Sequence, residues 1–168
     1  MLNYKRIDHF LEWLGLIFKK REVDFVLIRE ITTAVQGDCS VLTIKNYLKT
    51  QKLTKLYECV PDIYRAIKNI PPIPELSKEL TLKLMIMFNM VQEPFKKHAP
   101  PNRLSFFPYS YILHKFLEIL KEYSILPYVQ LGKSREKLLE SDKIFENICN
   151  DLKWPFIPSM PPPNLARY

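Results

Sequence analysis

The sequence predicts an all-α fold: a single compact domain of about six or seven helices, finished by a Pro-rich C-terminal strap and tail. Three observations predict it. Apolar residues recur at spacings of three and four over most of the chain. Only 3 glycines occur among 168 residues, so left-handed turns and tight β-hairpins should be scarce. The 14 prolines fall between the periodic segments, as punctuation between helices would. A hydrophobic content of 47% supports a core, and the length suits one domain or at most two very small ones. The helical domain is placed at 1–160 and the tail at 161–168.

The elements follow in order. Tyr4 to Lys20 reads as an amphipathic helix on Ile7, Phe10, Leu11, Leu14, Ile17 and Phe18, closed by Lys19, Lys20 and Arg21 at the negative end of its dipole. Phe25 to Val35 is a second helix, with a strand as the alternative because of its β-branched residues; Gly37-Asp38 ends it. Val41 to Leu48 is a third, with Thr43 as a weak cap. A fourth segment, Leu53 to Ile67, is interrupted by Pro61, and "NIPPIPEL" is a stiff polyproline-like linker. Ser77 is a clean N-cap for a helix that Pro94 stops. That helix is apolar nearly all round, which marks it as the central one. Tyr109 to Tyr123 and Ser134 to Leu152 complete the set, separated by Pro127.

The formal net charge is +7. The excess is spread along the chain, so it permits a polyanion partner without identifying one. Cys39, Cys59 and Cys149 lie far apart, an odd count that argues against a disulfide framework and for a reducing compartment. The opening residues contain Lys5, Arg6, Asp8 and Glu12, which break any apolar run short of a membrane span. The same cysteines with His9, His98 and His114 have none of the short paired spacing of a structural zinc site, so no metal or other cofactor is expected. No Gly-x-Ser-x-Gly turn, Cys–His pair or glycine-rich phosphate loop is present, and the chain is read as no enzyme. Asp142 and Glu146 share a helix face, but with Lys137 and Lys143 beside them they read as a solvated charged face.

Two basic clusters are the candidate contacts for nucleic acid or a protein partner. One is Lys133, Arg135 and Lys137, at a helix start where cations oppose the dipole. The other is Lys96, Lys97 and Arg103, with His98, beside Phe106, Phe107 and Tyr109. Cations can grip phosphates; the aromatics either stack on bases or, as favoured here, anchor their loop in the core. Trp154, Phe156 and Ile157 stand in a proline-stiffened segment and read as a strap that buries them across the helices. The tail after Ser159 has little core-forming power and would dock on a partner or remain loose.

The stretch Arg103 to Ser159 resembles the poxvirus late transcription factor 3-like family of large nucleocytoplasmic DNA viruses. The residues that carry the resemblance are Tyr109-Ser110-Tyr111, Lys133-Ser134-Arg135-Glu136-Lys137, Asp142-Lys143-Ile144-Phe145 and Trp154-Pro155-Phe156-Ile157-Pro158-Ser159. Upstream, "LKTQKLTKLYECVPDIYRAI" and "MFNMVQEPFKKHAPPNR" extend it from about Val35. Gly132 departs from the usual second Leu, and the Cys-rich zinc-binding segment common in the family has no match from Met1 to Gly37. The resemblance implies a viral protein for late gene expression. Its partners would be the viral RNA polymerase or other viral transcription factors, with DNA as a further partner, in the infected-cell cytoplasm or viral factory. The alternative is a minor capsid protein that bridges neighbouring capsid components in the virion.

Overall fold

A computed structural model of the chain describes residues 2–19 and 21–160. The expected Pro-rich tail at 161–168 lies outside them. Every regular element among the described residues is helical: α1 (Leu2–Ile17), α2 (Phe25–Val35), α3 (Val41–Thr50), α4 (Val60–Ile67), α5 (Lys78–Met90), α6 (Gln92–His98), α7 (Tyr109–Ile119) and α8 (Arg135–Leu152). Two 3-10 turns, Thr54–Cys59 and Leu126–Tyr128, precede α4 and follow α7. The chain forms two compact units, a larger one from Met1–Phe18 with Leu76–Tyr168 and a smaller one from Lys19–Glu75.

The smaller unit is built by α2, α3 and α4, each touching the other two. Its core is Ile31, Ile44, Leu48, Val60 and Ile63. The β-branched residues of α2 are helical because Ile31 must reach this core and Asp24 caps the start, its side chain accepting from Val26 N at 3.0 Å. The cap of α3 is Ser40 rather than Thr43. Ser40 Oγ accepts from Thr43 N at 3.1 Å, and Thr43 Oγ1 accepts in return from Ser40 N at 2.9 Å, a reciprocal capping box. Pro61 sits in the first turn of α4, where its missing N–H costs nothing.

In the larger unit, Ser77 caps α5 as expected, accepting from Leu80 N at 3.0 Å. Two readings change. Pro94 does not stop the helix; the chain turns earlier, at Val91, and Pro94 falls in the first turn of α6, where proline is tolerated. Nor is α5 buried all round: Leu80, Leu84 and Phe88 face the core, whereas Leu82, Ile86 and Met90 are 55%, 51% and 43% exposed. α1 stops at Ile17, before the expected cations.

Aromatic rings hold the unit together. Phe10 on α1 stacks on Phe88 of α5 at 4.3 Å between centroids. Phe88 meets Phe106 edge-on at 5.4 Å, Phe106 meets Phe107 at 5.2 Å, and Phe107 meets Phe145 of α8 at 6.0 Å. Phe106 and Phe107 thus anchor the α6–α7 loop in the core, edge-to-face contacts being the favoured ring geometry.

Left-handed backbone is commoner than the glycine count implies. Gln36, Lys52, Asn69, Lys121 and Lys153 all have positive φ, and only one glycine, Gly37, does. At the end of α8, Lys153 at φ 57 lets Trp154 N donate to Cys149 O at 2.9 Å. That bond satisfies an orphan carbonyl of the last turn and offsets part of the steric cost of a Cβ in this region.

The bond also aims the following segment back over α7 and α8. Trp154 meets Phe116 edge-on at 6.2 Å and Phe156 meets Phe145 at 6.3 Å. Both are half-buried, whereas the Ile157 side chain is 38% exposed and so is no buried anchor. Ile157 contributes its carbonyl instead, which accepts from Lys115 Nζ at 2.6 Å. Trp154→Ala is therefore expected to cost about 2 kcal/mol, below the range for a fully buried ring. A urea titration checks this, and no shift of the midpoint would contradict the packing.

Candidate nucleic-acid interface

A cleft of about 710 Å³ opens between the α6–α7 loop and one face of α8. The loop side supplies His98, Asn102, Arg103 and Ser105; α8 supplies Lys137, Glu140, Lys143 and Asn147. On a helix, 137, 140, 144 and 147 fall on one face because their spacings are three and four. Arg103, Lys137 and Lys143 outnumber the single carboxylate of Glu140. Apart from that carboxylate, the polar surface is made of cations, an imidazole, amides and hydroxyls, groups that can contact phosphate and sugar oxygens.

The two sequence clusters contribute unequally. Arg103 is tied down: Nε donates to Ser105 O at 3.0 Å, and the guanidinium lies 5.7 Å from the Phe107 ring and 6.0 Å from that of Phe95. Lys137 joins it from α8, its backbone N–H donating to the Ser134 cap at 3.4 Å. Lys133 and Arg135 are exposed at the start of α8 and do not line the cleft. Lys96 pairs with Glu93 at 3.2 Å, and Lys97 reaches Asp151 at 3.5 Å. Neither lines it. His98 Nε2 lies 2.7 Å from Asp151 Oδ2, and this hydrogen bond, with Lys97 nearby, lowers the Asp151 pKa. Lys143 and Asn147 are among the lining residues that the sequence reading missed. The spacings of three and four that join Glu140, Lys143 and Asn147 on α8 were the available signal.

Under the cleft, α8 is held by a buried polar cluster. Asp142 is 8% exposed, so the solvated-face reading of this residue is corrected; Glu146 is exposed. Asp142 Oδ1 accepts from Tyr111 OH at 2.6 Å and from Ser159 Oγ at 2.6 Å, while Oδ2 accepts from Ser159 N at 2.8 Å. Lys115, 1% exposed, lies 3.7 Å from Asp142 and 3.4 Å from Glu118. Burial, reinforced by the Asp142 carboxylate, pushes the Tyr111 hydroxyl well above its usual range, so it stays a donor. Three separate motif stretches, around Tyr111, Asp142 and Ser159, thus meet through one carboxylate. Their role is to close the segment after α8 onto α7 and α8.

The cysteines stand apart from this chemistry. Cys39 and Cys59 pack against the core of the smaller unit, and Cys149 is buried in the larger one. Among the described residues no group of three or more His, Cys, Asp or Glu is placed to hold a metal ion. Burial pushes the Cys149 thiol up to about 12. At about pH 8, iodoacetamide should therefore label Cys39 and Cys59 in the native protein and spare Cys149. Peptide mapping reads the order, and early labelling of Cys149 would contradict it. Among the described residues no helix is long and apolar enough to cross a membrane.

Comparison with known proteins gives the lineage. The family model described as "Poxvirus Late Transcription Factor VLTF3 like" matches residues 1–156. The chain is 35% identical over 167 residues to the "Putative transcription factor" of Paramecium bursaria Chlorella virus 1, covering 93% of this chain and 46% of that protein. It is 34% identical over 165 residues to the "Putative transcription factor" of Acanthamoeba polyphaga mimivirus, covering 94% of this chain and 38% of that one. The chain thus spans less than half the length of these relatives. No solved structure matches it. With the family pattern running through every helix described above, this chain belongs to the poxvirus late transcription factor 3-like family.

Proposed function

We propose that this chain serves as part of a viral late transcription factor, a non-enzymatic helical adaptor that holds nucleic-acid backbone in the cleft between the α6–α7 loop and α8. It acts with the viral RNA polymerase or with other viral transcription factors, in the cytoplasm or viral factory of the infected cell. The observation that carries this reading is the convergence of Arg103, Lys137 and Lys143, with amide and hydroxyl groups, on one open cleft in a chain of this family. Phosphate contacts of this kind position a protein on nucleic acid without reading its sequence.

The test is Lys137→Ala with Lys143→Ala. Both side chains are exposed, so thermal stability should be unchanged. Binding to a fluorescent nucleic acid should weaken, and the slope of log K against log salt should become shallower by about 2, one unit for each lost phosphate contact. Wild-type affinity at every salt concentration would remove the cleft from the mechanism.

A further inference from the structure

We propose that the smaller unit is a second nucleic-acid site, a helix-turn-helix module whose α3 enters the major groove of duplex DNA. The choice of DNA rests on the reading of the chain as a transcription factor; the geometry of the site does not. α2 and α3 are joined by residues 36–40, and α4 packs on both. That turn contains a glycine in the left-handed region, Gly37 at φ 83, which is the usual place and conformation for glycine in such a motif. Asp38 N donates to Val35 O at 3.0 Å and Thr43 Oγ1 donates to Asp38 O at 2.8 Å, so the turn is pinned to both helices.

The core uses only one side of α3. Ile44 and Leu48, one turn apart, are fully buried, and Tyr47 is half-buried beside them. The opposite side carries Leu42, Lys45, Asn46 and Lys49, all exposed. Lys52 and Lys55 follow in the next turns, also exposed. From Ser40 to Tyr57 the sequence contains no Asp or Glu, and none of these four lysines pairs with a carboxylate among the described residues. α2, by contrast, mixes Arg29 with Glu30 on its exposed side.

An acid-free helix face with two unpaired ammonium groups, Lys45 and Lys49, and two more, Lys52 and Lys55, in the turns that follow it, matches a phosphate-lined groove in charge. It also matches in size. An α-helix with its side chains is about 10–12 Å across, and the major groove is about 12 Å wide. Asn46, in the middle of the exposed face, is the side chain suited to bidentate contact with adenine, and Leu42 can meet a thymine methyl group. Lys45 and Lys49 flank Asn46, one residue before it and three after, within reach of guanine edges or the bordering phosphates. α3 would then supply sequence discrimination that the cleft of the larger unit, with its backbone-type contacts, does not.

The experiment uses the full chain and a library of randomised duplexes of about 20 base pairs, long enough for two turns of the helix. Three proteins are compared: wild type, Lys45→Gln/Asn46→Ala/Lys49→Gln, and Lys137→Ala/Lys143→Ala. Wild type should enrich a sequence motif and protect guanine N7 within it from methylation. The α3 variant should enrich none and bind the enriched duplex at least about tenfold more weakly. The cleft variant should weaken binding to all sequences alike and still enrich the motif. Circular dichroism establishes that α3 is intact; if the triple variant unfolds, Asn46→Ala alone is read for loss of the motif. Retained enrichment by a folded α3 variant would overturn the inference while leaving the cleft reading in place. So would a wild-type preference for single-stranded DNA or for RNA of equal length. Loss of all binding in the cleft variant alone would sustain the cleft and sink α3.

Discussion

Phe88→Ala is expected to destabilise the larger unit by about 3–5 kcal/mol, the range for deleting a fully buried aromatic ring. Phe88 is 0% exposed and touches three elements at once: it stacks on Phe10 of α1, meets Phe106 of the α6–α7 loop edge-on, and meets Tyr109 of α7 at 6.1 Å. Truncation removes the ring's transfer energy and leaves a cavity whose walls are other rings, which are too rigid to collapse into it. The ring chain from α1 to α8 would then be cut at its second member. Because Phe106 anchors the loop that carries Arg103, the nucleic-acid binding proposed for the cleft should fall along with stability. Phe88→Leu should recover part of both. Urea unfolding followed by Trp fluorescence measures the change, and a loss under about 1 kcal/mol would mean that the rings do not bear on one another as described.

Asp142→Ala is expected to cost about 3 kcal/mol and to release the segment after α8. The carboxylate accepts three hydrogen bonds, from Tyr111 and from the side chain and backbone of Ser159, and faces the buried Lys115 ammonium. Removing it leaves a buried hydroxyl without its acceptor and a buried cation with Glu118 and the Ile157 carbonyl alone. A paired replacement should cost less. Asp142→Leu with Lys115→Met takes both charges of this pair away together and should recover part of the loss, because the desolvation cost of the pair disappears with its attraction while Glu118 and the Ile157 carbonyl lose Lys115. A double variant no better than Asp142→Ala would show that the hydrogen bonds to Ser159, rather than the charge pair, dominate. Limited proteolysis near Pro155 should accelerate in the single variant; unchanged cleavage would mean that the carboxylate does not hold this segment.

Much of this architecture is legible in the one-dimensional pattern. Repeats at three and four mark the helical segments other than the short α6, which reads as the end of α5 and a basic loop; Ser77 announces the start of α5, and Pro61 and Gly37 mark where α4 begins and where α2 has ended. These features are local: a cap, a proline or a glycine acts on the backbone within a turn of itself, so its effect can be read without the rest of the chain. The basic character of Arg103 and Lys137 is equally visible, as is the anchoring of Phe106 and Phe107.

Four things were decided only by tertiary contact. Asp142 looks like a surface carboxylate until Tyr111 and Ser159, 31 and 17 residues away in sequence, arrive on it. Lys115 looks like any helical lysine until the segment after α8 covers it. The apolar surface of α5 is wide enough to suggest burial on every side, but periodicity records which residues are apolar and says nothing of how many neighbours come to cover them. The meeting of Arg103 with Lys137 and Lys143 is of the same kind. What the residue order determined was a set of helices and their apolar faces; which charged groups were buried and which converged on a cleft was decided by packing, because the cost or benefit of a charge depends on partners that only the folded chain brings within a few ångströms.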